Sequence, residues 1–328
     1  MAVTFSQGRH KDIKAHFTGL FLLAALLLFP TVLPEKIGWL SSLIPLPIFY
    51  YLVILGKKDG TILIRNAILF SAVCALLIGS LPVLVFSLAM VPIGVTFSHG
   101  VFNRRNPVET GFIGFLVLVL SWILFWTGLA MIHQTNPYTT LLVELDGGLS
   151  NGLMLYEETA ELAPETLESI RSAVELLRNF IPKVLPALLV STILTITWLN
   201  LLLGDWLLKR KDKKLTTWPD YIEWKLPEPL VWLVILAGIT FFLLPSPIST
   251  IGLNVLIVCT TVYFFQGLAI VASLLDKWSV PLLIRIPIYA LIFIQTYGII
   301  ILSFLGLADV WADFRKLNQI NETPKASV

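Results

Sequence analysis

Between Phe17 and Leu305 the chain is a near-continuous series of apolar segments of membrane length, broken once by an acidic stretch from His133 to Pro182. A helix needs about 20 apolar residues to cross the hydrocarbon core. With 56% hydrophobic and 13% charged residues, the chain cannot cover a water-soluble globule with polar surface. In lipid every backbone N–H and C=O must be paired internally, which leaves helices or closed barrels. These segments are too long for barrel strands of about 9–11 residues. The expected fold is therefore all-α, a polytopic membrane bundle of eight or nine transmembrane helices with an extracytoplasmic helical hairpin.

The spans read as 17–33, 39–55, 61–79, 81–98, 111–132, 183–207, 230–244, 249–275 and 281–305. Segment 230–244 is short and ends in Pro245-Ser-Pro247, so it reads either as a span or as half of a bent hairpin with its successor. This divides the chain into a five-span N-terminal half (1–132), an acidic insertion (133–182), a membrane part of three or four spans (183–307), and an interfacial helix and tail (308–328). No internal repeat is visible, which gives no support to an inverted-repeat transporter.

Charge sets the orientation. With the N-terminus inside, the inside loops collect Arg9, Lys11, Lys14, Lys57, Lys58, Arg104, Arg105, the run Lys209–Lys214, Lys225 and Lys277. The outside loops keep Lys36, Arg171 and Arg178. That asymmetry is the positive-inside pattern of a bacterial cytoplasmic (inner) membrane protein. Beyond Lys214 the alternation conflicts with Arg315-Lys316, which suit an inside tail. The first span follows basic residues and lacks an A-x-A-like cleavage site, so it reads as an uncleaved signal-anchor. Cys74 and Cys259 lie mid-span and read as packing residues.

The insertion carries Glu144, Asp146, Glu157, Glu158, Glu161, Glu165, Glu168 and Glu175 against Arg171 and Arg178. Pro164 suits a first helical turn. From there Leu167, Ile170, Val174, Leu177 and Ile181 form one apolar stripe at steps of three and four. Over 138–181 the expected element is a helical hairpin, either capping its own bundle or docking a protein partner or second copy. Its negative charge disfavours anionic lipid. On the inside, Lys209-Arg-Lys-Asp-Lys-Lys214 serves as a topogenic signal or binds anionic headgroups. Trp218, Tyr221 and Trp224 read as an interfacial aromatic anchor.

Polar residues inside the membrane are the candidate binding groups. Asn254 and Thr261 share a face of one span; Tyr289 and Thr296 share a face of the next, with Arg285 below. Together with Gln266 and Gln295 they would line a polar seam if the faces meet. The competing reading is interhelical glue, averaging about 0.6 kcal/mol per bond. Catalysis finds no foothold: His10, His16, His99 and His133 are dispersed, and there is no H-E-x-x-H, G-x-S-x-G or phosphate-binding loop. No metal, cofactor, nucleic-acid or ATPase site is expected.

Asn254, Tyr263-Phe-Phe-Gln-Gly-Leu-Ala-Ile-Val271 and Leu305-Gly-Leu-Ala-Asp-Val-Trp-Ala-Asp-Phe-Arg-Lys316 resemble the YybS-like family of bacterial membrane proteins. Pro45-Leu-Pro-Ile-Phe-Tyr50, Arg104-Arg105 and Trp224-Lys-Leu-Pro227 fit the same pattern. That family has no established activity. Its N-terminal spans are similar in layout to the S-components of energy-coupling-factor vitamin transporters, which implies small-molecule capture. The first span offers Ala24-Ala25 where S-components carry A-x-x-x-A. Within the last motif, Asp309, Trp311, Asp313 and Arg315 read as an anchor or docking latch, with Gly306 breaking span nine and Asp309 as N-cap of a short interfacial helix. Two functions follow as expectations: a substrate-binding component of a transport system, or a non-catalytic scaffold in an envelope complex.

Overall fold

The computed structural model describes residues 3–159 and 163–315, and side chains throughout these except at 3–15, 159, 293, 294 and 296. The readings made on Glu161, Lys316 and the Thr296 side chain lie outside what is described. Every regular element is helical: α1 (Val3–Val32), α2 (Pro34–Ile37), a 3₁₀ turn (Gly38–Leu43), α3 (Pro45–Ile78), α4 (Leu81–Leu88), α5 (Val91–Phe102), α6 (Pro107–His133), α7 (Pro137–Thr159), α8 (Pro164–Lys211), a 3₁₀ turn (Tyr221–Glu223), α9 (Leu230–Leu243), α10 (Ile248–Lys277), α11 (Leu282–Ile294) and α12 (Thr296–Ala312).

Among the described residues five stretches can cross a membrane by length and apolar composition: Pro34–Ile78, Leu81–Phe102, Pro107–His133, Pro164–Lys211 and Ile248–Lys277. A sixth arises if Leu282–Ile292 and Tyr297–Ala312 count as one broken span. The difference from eight or nine lies in a few places. His16–Val32 and Leu230–Leu243 are apolar but short; the 14 residues of α9 rise only about 21 Å, against a core of about 30 Å. The expected span 281–305 is bent by 104° around Gln295, whose backbone is extended at φ −93°, ψ 118°.

Pro34–Ile78 joins two of the expected spans. Its 45 residues would reach about 68 Å as a straight helix, but the backbone leaves helical geometry at Gly56, φ 80°, ψ 167°. A Cβ on Gly60 would lie 2.9 Å from Leu52 Cα, although eight positions along a straight helix are about 12 Å apart. The chain therefore folds back on itself at Gly56. That φ/ψ region is open essentially to glycine alone. Gly56→Ala is expected to lower stability by about 1–3 kcal/mol, read as thermal unfolding of the purified protein; an unchanged unfolding curve would place the reversal elsewhere.

The contacts group into two units, and the division falls inside α8. One comprises 1–137 and 195–218, the other 138–194 and 219–328. In the first, Phe49, Ile48, Phe97, Leu63 and Leu118 are fully buried. Phe49 meets Phe97 edge-on at 5.7 Å and stacks on Trp218 at 6.0 Å. The Trp218 indole N–H donates to the Arg105 carbonyl at 2.7 Å. Trp218 is thus a core residue, 5% exposed, and not the interfacial anchor expected. An aromatic with one polar tip suits either place, and here a carbonyl supplies the partner that water would have given. Asp205, also buried, is held by Lys209 at 2.8 Å and by the Thr216 hydroxyl at 2.7 Å. Lys209 is thereby drawn out of the polybasic run, leaving Arg210, Lys211, Lys213 and Lys214 exposed.

In the second unit α7 and the start of α8 form an antiparallel helical hairpin. Arg171 pairs with Glu157 at 2.8 Å and Arg178 with Asp146 at 2.8 Å. Leu142, Leu145, Leu149 and Ile181 line a shallow apolar space of about 300 Å³ between them. The boundary expected at 182–183 lies within α8, which passes through Pro182 and Pro186 without ending.

Candidate functional site

The polar residues of the second unit are brought together in three separate places, and the single seam expected between the last two spans does not form. The first place is the proline-bearing stretch of α8. Pro186 has no N–H to offer the Pro182 carbonyl, and the Tyr138 hydroxyl donates to that carbonyl at 3.1 Å. One residue on, Ala187 N–H and the Lys183 carbonyl are the pair that would ordinarily bond each other. Asn254 serves both: its Oδ1 accepts from Ala187 N–H at 2.9 Å and its Nδ2 donates to Lys183 at 2.7 Å. Thr261, two turns along α10, donates to the Ser191 hydroxyl at 3.0 Å. These two side chains splint α8 against α10. Asn254→Ala is expected to lose about 1–2 kcal/mol of stability, measurable by equilibrium unfolding in detergent; a change within error would mean that the prolines need no splint.

The second place ties α10 to α11. Arg285 pairs with Asp276 and donates through Nε to the Val280 carbonyl at 2.8 Å. The 104° bend separates Tyr289 on α11 from Thr296 on α12, and Gln295 at the bend is exposed. The shared face expected of Tyr289 and Thr296 requires a straight span, and the backbone bends between them.

The third place is the crossing of α10 and α12, the most extensive helix–helix contact among the described residues. A Cβ on Gly267 would lie 2.1 Å from the Leu302 carbonyl oxygen, and one on Gly306 would lie 2.1 Å from that of Tyr263. Backbone touches backbone, the small-residue packing that lipid-embedded helices favour. This corrects the reading of Gly306 as a helix breaker: α12 continues to Ala312, and Asp313 in left-handed conformation (φ 41°) ends it. Asp309 is consequently no N-cap. It sits in the last turn, 1% exposed. One carboxylate oxygen accepts from Phe314 N–H at 2.9 Å. The other accepts from Arg315 Nη2 at 2.8 Å and Gln266 Nε2 at 3.1 Å.

Around this carboxylate the segment 219–226 is fastened. Arg315 Nη1 donates to the carbonyls of Ile222 at 2.9 Å and Trp224 at 2.8 Å. Gln266 Oε1 accepts from Leu226 N–H at 3.1 Å, and the Tyr221 hydroxyl donates to the Phe265 carbonyl at 2.5 Å. Trp224, with its indole N–H on the Pro219 carbonyl at 3.1 Å, is 6% exposed. Like Trp218, it is packed within the protein. Trp311 and Phe314, by contrast, are exposed.

Above this clasp α9, α10 and α12 enclose a partly open pocket of about 190 Å³. Val234, Leu256, Ile300, Phe304 and Leu307 form most of its wall, with Cys259, Thr260, Tyr263 and Ser303. A larger space in the first unit, about 570 Å³ beside Ile68, Val91 and Val117, is more open and apolar apart from Thr96, whose hydroxyl is bonded to Pro92. Of the residues lining the smaller pocket, Tyr263 is fully buried, and its hydroxyl, sealed from water, has no hydrogen-bond partner among the described residues. In the sequence Cys259 reads as a packing residue and Tyr263 only as part of the family-like motif; nothing there sets the two beside a pocket. Among the described residues no group of three or more His, Cys, Asp or Glu is placed to hold a metal.

Apolar helices of spanning length, a buried ion pair and backbone-close helix crossings define an integral membrane helical protein. Residues 21–310 match the family described as Predicted membrane protein (DUF2232), and the chain belongs to that family. No curated protein and no solved structure matches it.

Proposed function

We propose that the chain is a non-catalytic small-molecule-binding component of a transport system in the bacterial cytoplasmic membrane, with no ATPase of its own. The observation that carries this reading is the partly open, mostly apolar pocket between α9, α10 and α12. A concave, mostly apolar site with few polar groups is the usual form of a ligand site. The resemblance of the N-terminal spans to S-components of energy-coupling-factor transporters, and of the C-terminal motifs to YybS-like proteins, points the same way. In this proposal the chain crosses the membrane eight or nine times, with the N-terminus cytoplasmic and the α7/α8 hairpin outside. Support comes from the basic loops on one side and from the reversal at Gly56 beside Lys57 and Lys58. The exposed lysines at 211–214 then face anionic headgroups.

A thermal-shift screen of the purified protein against a broad metabolite panel tests the reading. It predicts a stabilising compound for the wild type that has no effect on Val234→Trp, which fills the pocket from α9. No shift by any compound, and no small molecule carried through purification, would overturn it.

A second reading, a membrane scaffold or assembly partner, is favoured by the hairpin. Val143, Leu176 and Phe180 project from it largely exposed, among carboxylates. A partner or second copy bound through 138–181 would cover them. Crosslinking in native membranes that captures no neighbour there would remove this reading.

A further inference from the structure

We propose that the groove between α3, α5 and α6 in the first unit seats an acyl chain of an anionic phospholipid, whose phosphate is met by Lys57, Arg65 and Arg104. This site is separate from the α9/α10/α12 pocket and does not depend on the transport reading.

The groove gives the first constraint. It measures about 570 Å³, with Ile68, Val91, Val95 and Val117 on its walls. The polar side chain that lines it, Thr96, has its hydroxyl committed to the Pro92 carbonyl at 2.9 Å. A ligand is therefore held there by shape and apolar surface. Leu69 and Phe70 on α3 and Leu116 and Leu120 on α6 are exposed, so the helices that form the groove present apolar side chains to the lipid tails around them.

Helical register gives the second. Residues eleven apart on a helix lie about 20° apart around its axis and about 16 Å along it. Lys57 precedes Ile68 by eleven on the limb of α3 that follows Gly56, and Phe102 follows Val91 by eleven on α5. Both rows that line the groove thus lead to one corner. There the Lys57 ammonium lies 5.1 Å from the centre of the Phe102 ring. Arg104 stands two residues beyond Phe102, in the turn before α6. One leaflet of hydrocarbon is about 15 Å deep, so a chain that starts at this corner runs the length of the groove.

Charge gives the third. Arg65 is exposed, about 12 Å along the helix from Lys57 and one turn before Ile68. An arginine at such depth is costly unless it reaches a partner. Its side chain leans toward the N-terminal end of the helix, which here is the Lys57 corner. Lys57 and Arg104 are exposed as well, and none of the three side chains has a hydrogen-bond or ion-pair partner among the described residues. Neighbouring carboxylates do not meet them: Glu109 pairs with Arg105 at 3.5 Å, and Asp59, two residues on, faces the other side of α3 from Lys57. Three unmet cations at the mouth of an apolar groove match a phosphate that carries a hydrocarbon chain. A headgroup with its own cation would add like charge, which selects phosphatidylglycerol over phosphatidylcholine.

The test is native mass spectrometry of the delipidated full chain, titrated with phosphatidylglycerol and with phosphatidylcholine of the same chains. The wild type is expected to take up phosphatidylglycerol at the lower concentration. Lys57→Gln, Arg65→Gln and Arg104→Asn should each weaken phosphatidylglycerol about fivefold, and phosphatidylcholine by less. Asparagine suits position 104, whose φ is 53°. Val95→Trp fills the groove and should weaken both lipids; Val117→Phe does the same from α6 should the first variant fail to fold. Lys277→Gln removes an exposed cation of the second unit and should change neither lipid. Equal affinity of the wild type for the two lipids, or an equal loss in Lys277→Gln, overturns the site. Lipid binding unaltered in both groove variants, or displacement of the lipid by chain-free glycerol phosphate, overturns the seat for the acyl chain.

Discussion

Arg315→Ala is expected to destabilise the protein by about 3–5 kcal/mol. Arg315 and Asp309 meet at 2.8 Å with side chains each only 2% exposed. Truncating the arginine leaves a buried carboxylate without its counter-charge and withdraws the donor shared by Ile222 and Trp224. Asymmetry is the point: breaking such a pair costs far more than replacing it whole. Asp309→Leu combined with Arg315→Met should therefore recover much of the loss. Arg315→Lys should not recover it, since one ammonium cannot reproduce the planar fork that serves a carboxylate and two carbonyls together. Equilibrium unfolding in detergent gives the energies, and limited proteolysis near 219–226 tells whether that segment is released first. A stable Arg315→Ala protein with the segment still protected would show that the clasp does not hold it.

Gly306→Leu is expected to abolish the folded second unit. Even a methyl at this position would stand 2.1 Å from the Tyr263 carbonyl oxygen and 2.9 Å from Gly267 N, and neither backbone atom can yield without moving a helix. Overpacking of ordinary cores costs about 1–3 kcal/mol, so Gly306→Ala alone should lose at least that much, with Leu exceeding what the domain tolerates. Because Gly267 meets the Leu302 carbonyl in the same way, Gly267→Ala should behave alike, and the double variant should fall short of additivity once the helices have parted. Expression and monodispersity by size-exclusion chromatography read the outcome. Wild-type behaviour of both single variants would mean that the crossing is looser than described.

Much of this architecture is legible in the chain. Hydropathy and length report the solvent around a segment, so the apolar helices and the amphipathic hairpin stripe at Leu167, Ile170 and Ile181 can be read directly. Turn chemistry marks the break at Gly56. Partners are another matter. Asn254 looks the same in sequence whether it meets a ligand or bridges Ala187 and Lys183, because its amide serves either. Trp218 and Trp224 have the composition of an interfacial belt and the burial of core residues; only the carbonyls of Arg105 and Pro219, far or near in the chain, decide. Gly306 favours both a helix end and a close crossing, and the neighbouring Tyr263 backbone selects the second. The bend at Gln295 carries no proline at its vertex and so leaves hydropathy continuous across it. The burial of Tyr263 is invisible in its motif because it is a property of its surroundings.

The central claim, that the second unit holds a small molecule in the α9/α10/α12 pocket, is tested most directly by native mass spectrometry of the gently solubilised full chain beside its Val234→Trp variant. The account predicts a stoichiometric small-molecule adduct on the wild type that is absent from the variant, with both folded. An empty wild type carrying a protein partner, or an adduct that survives the filled pocket, would contradict it.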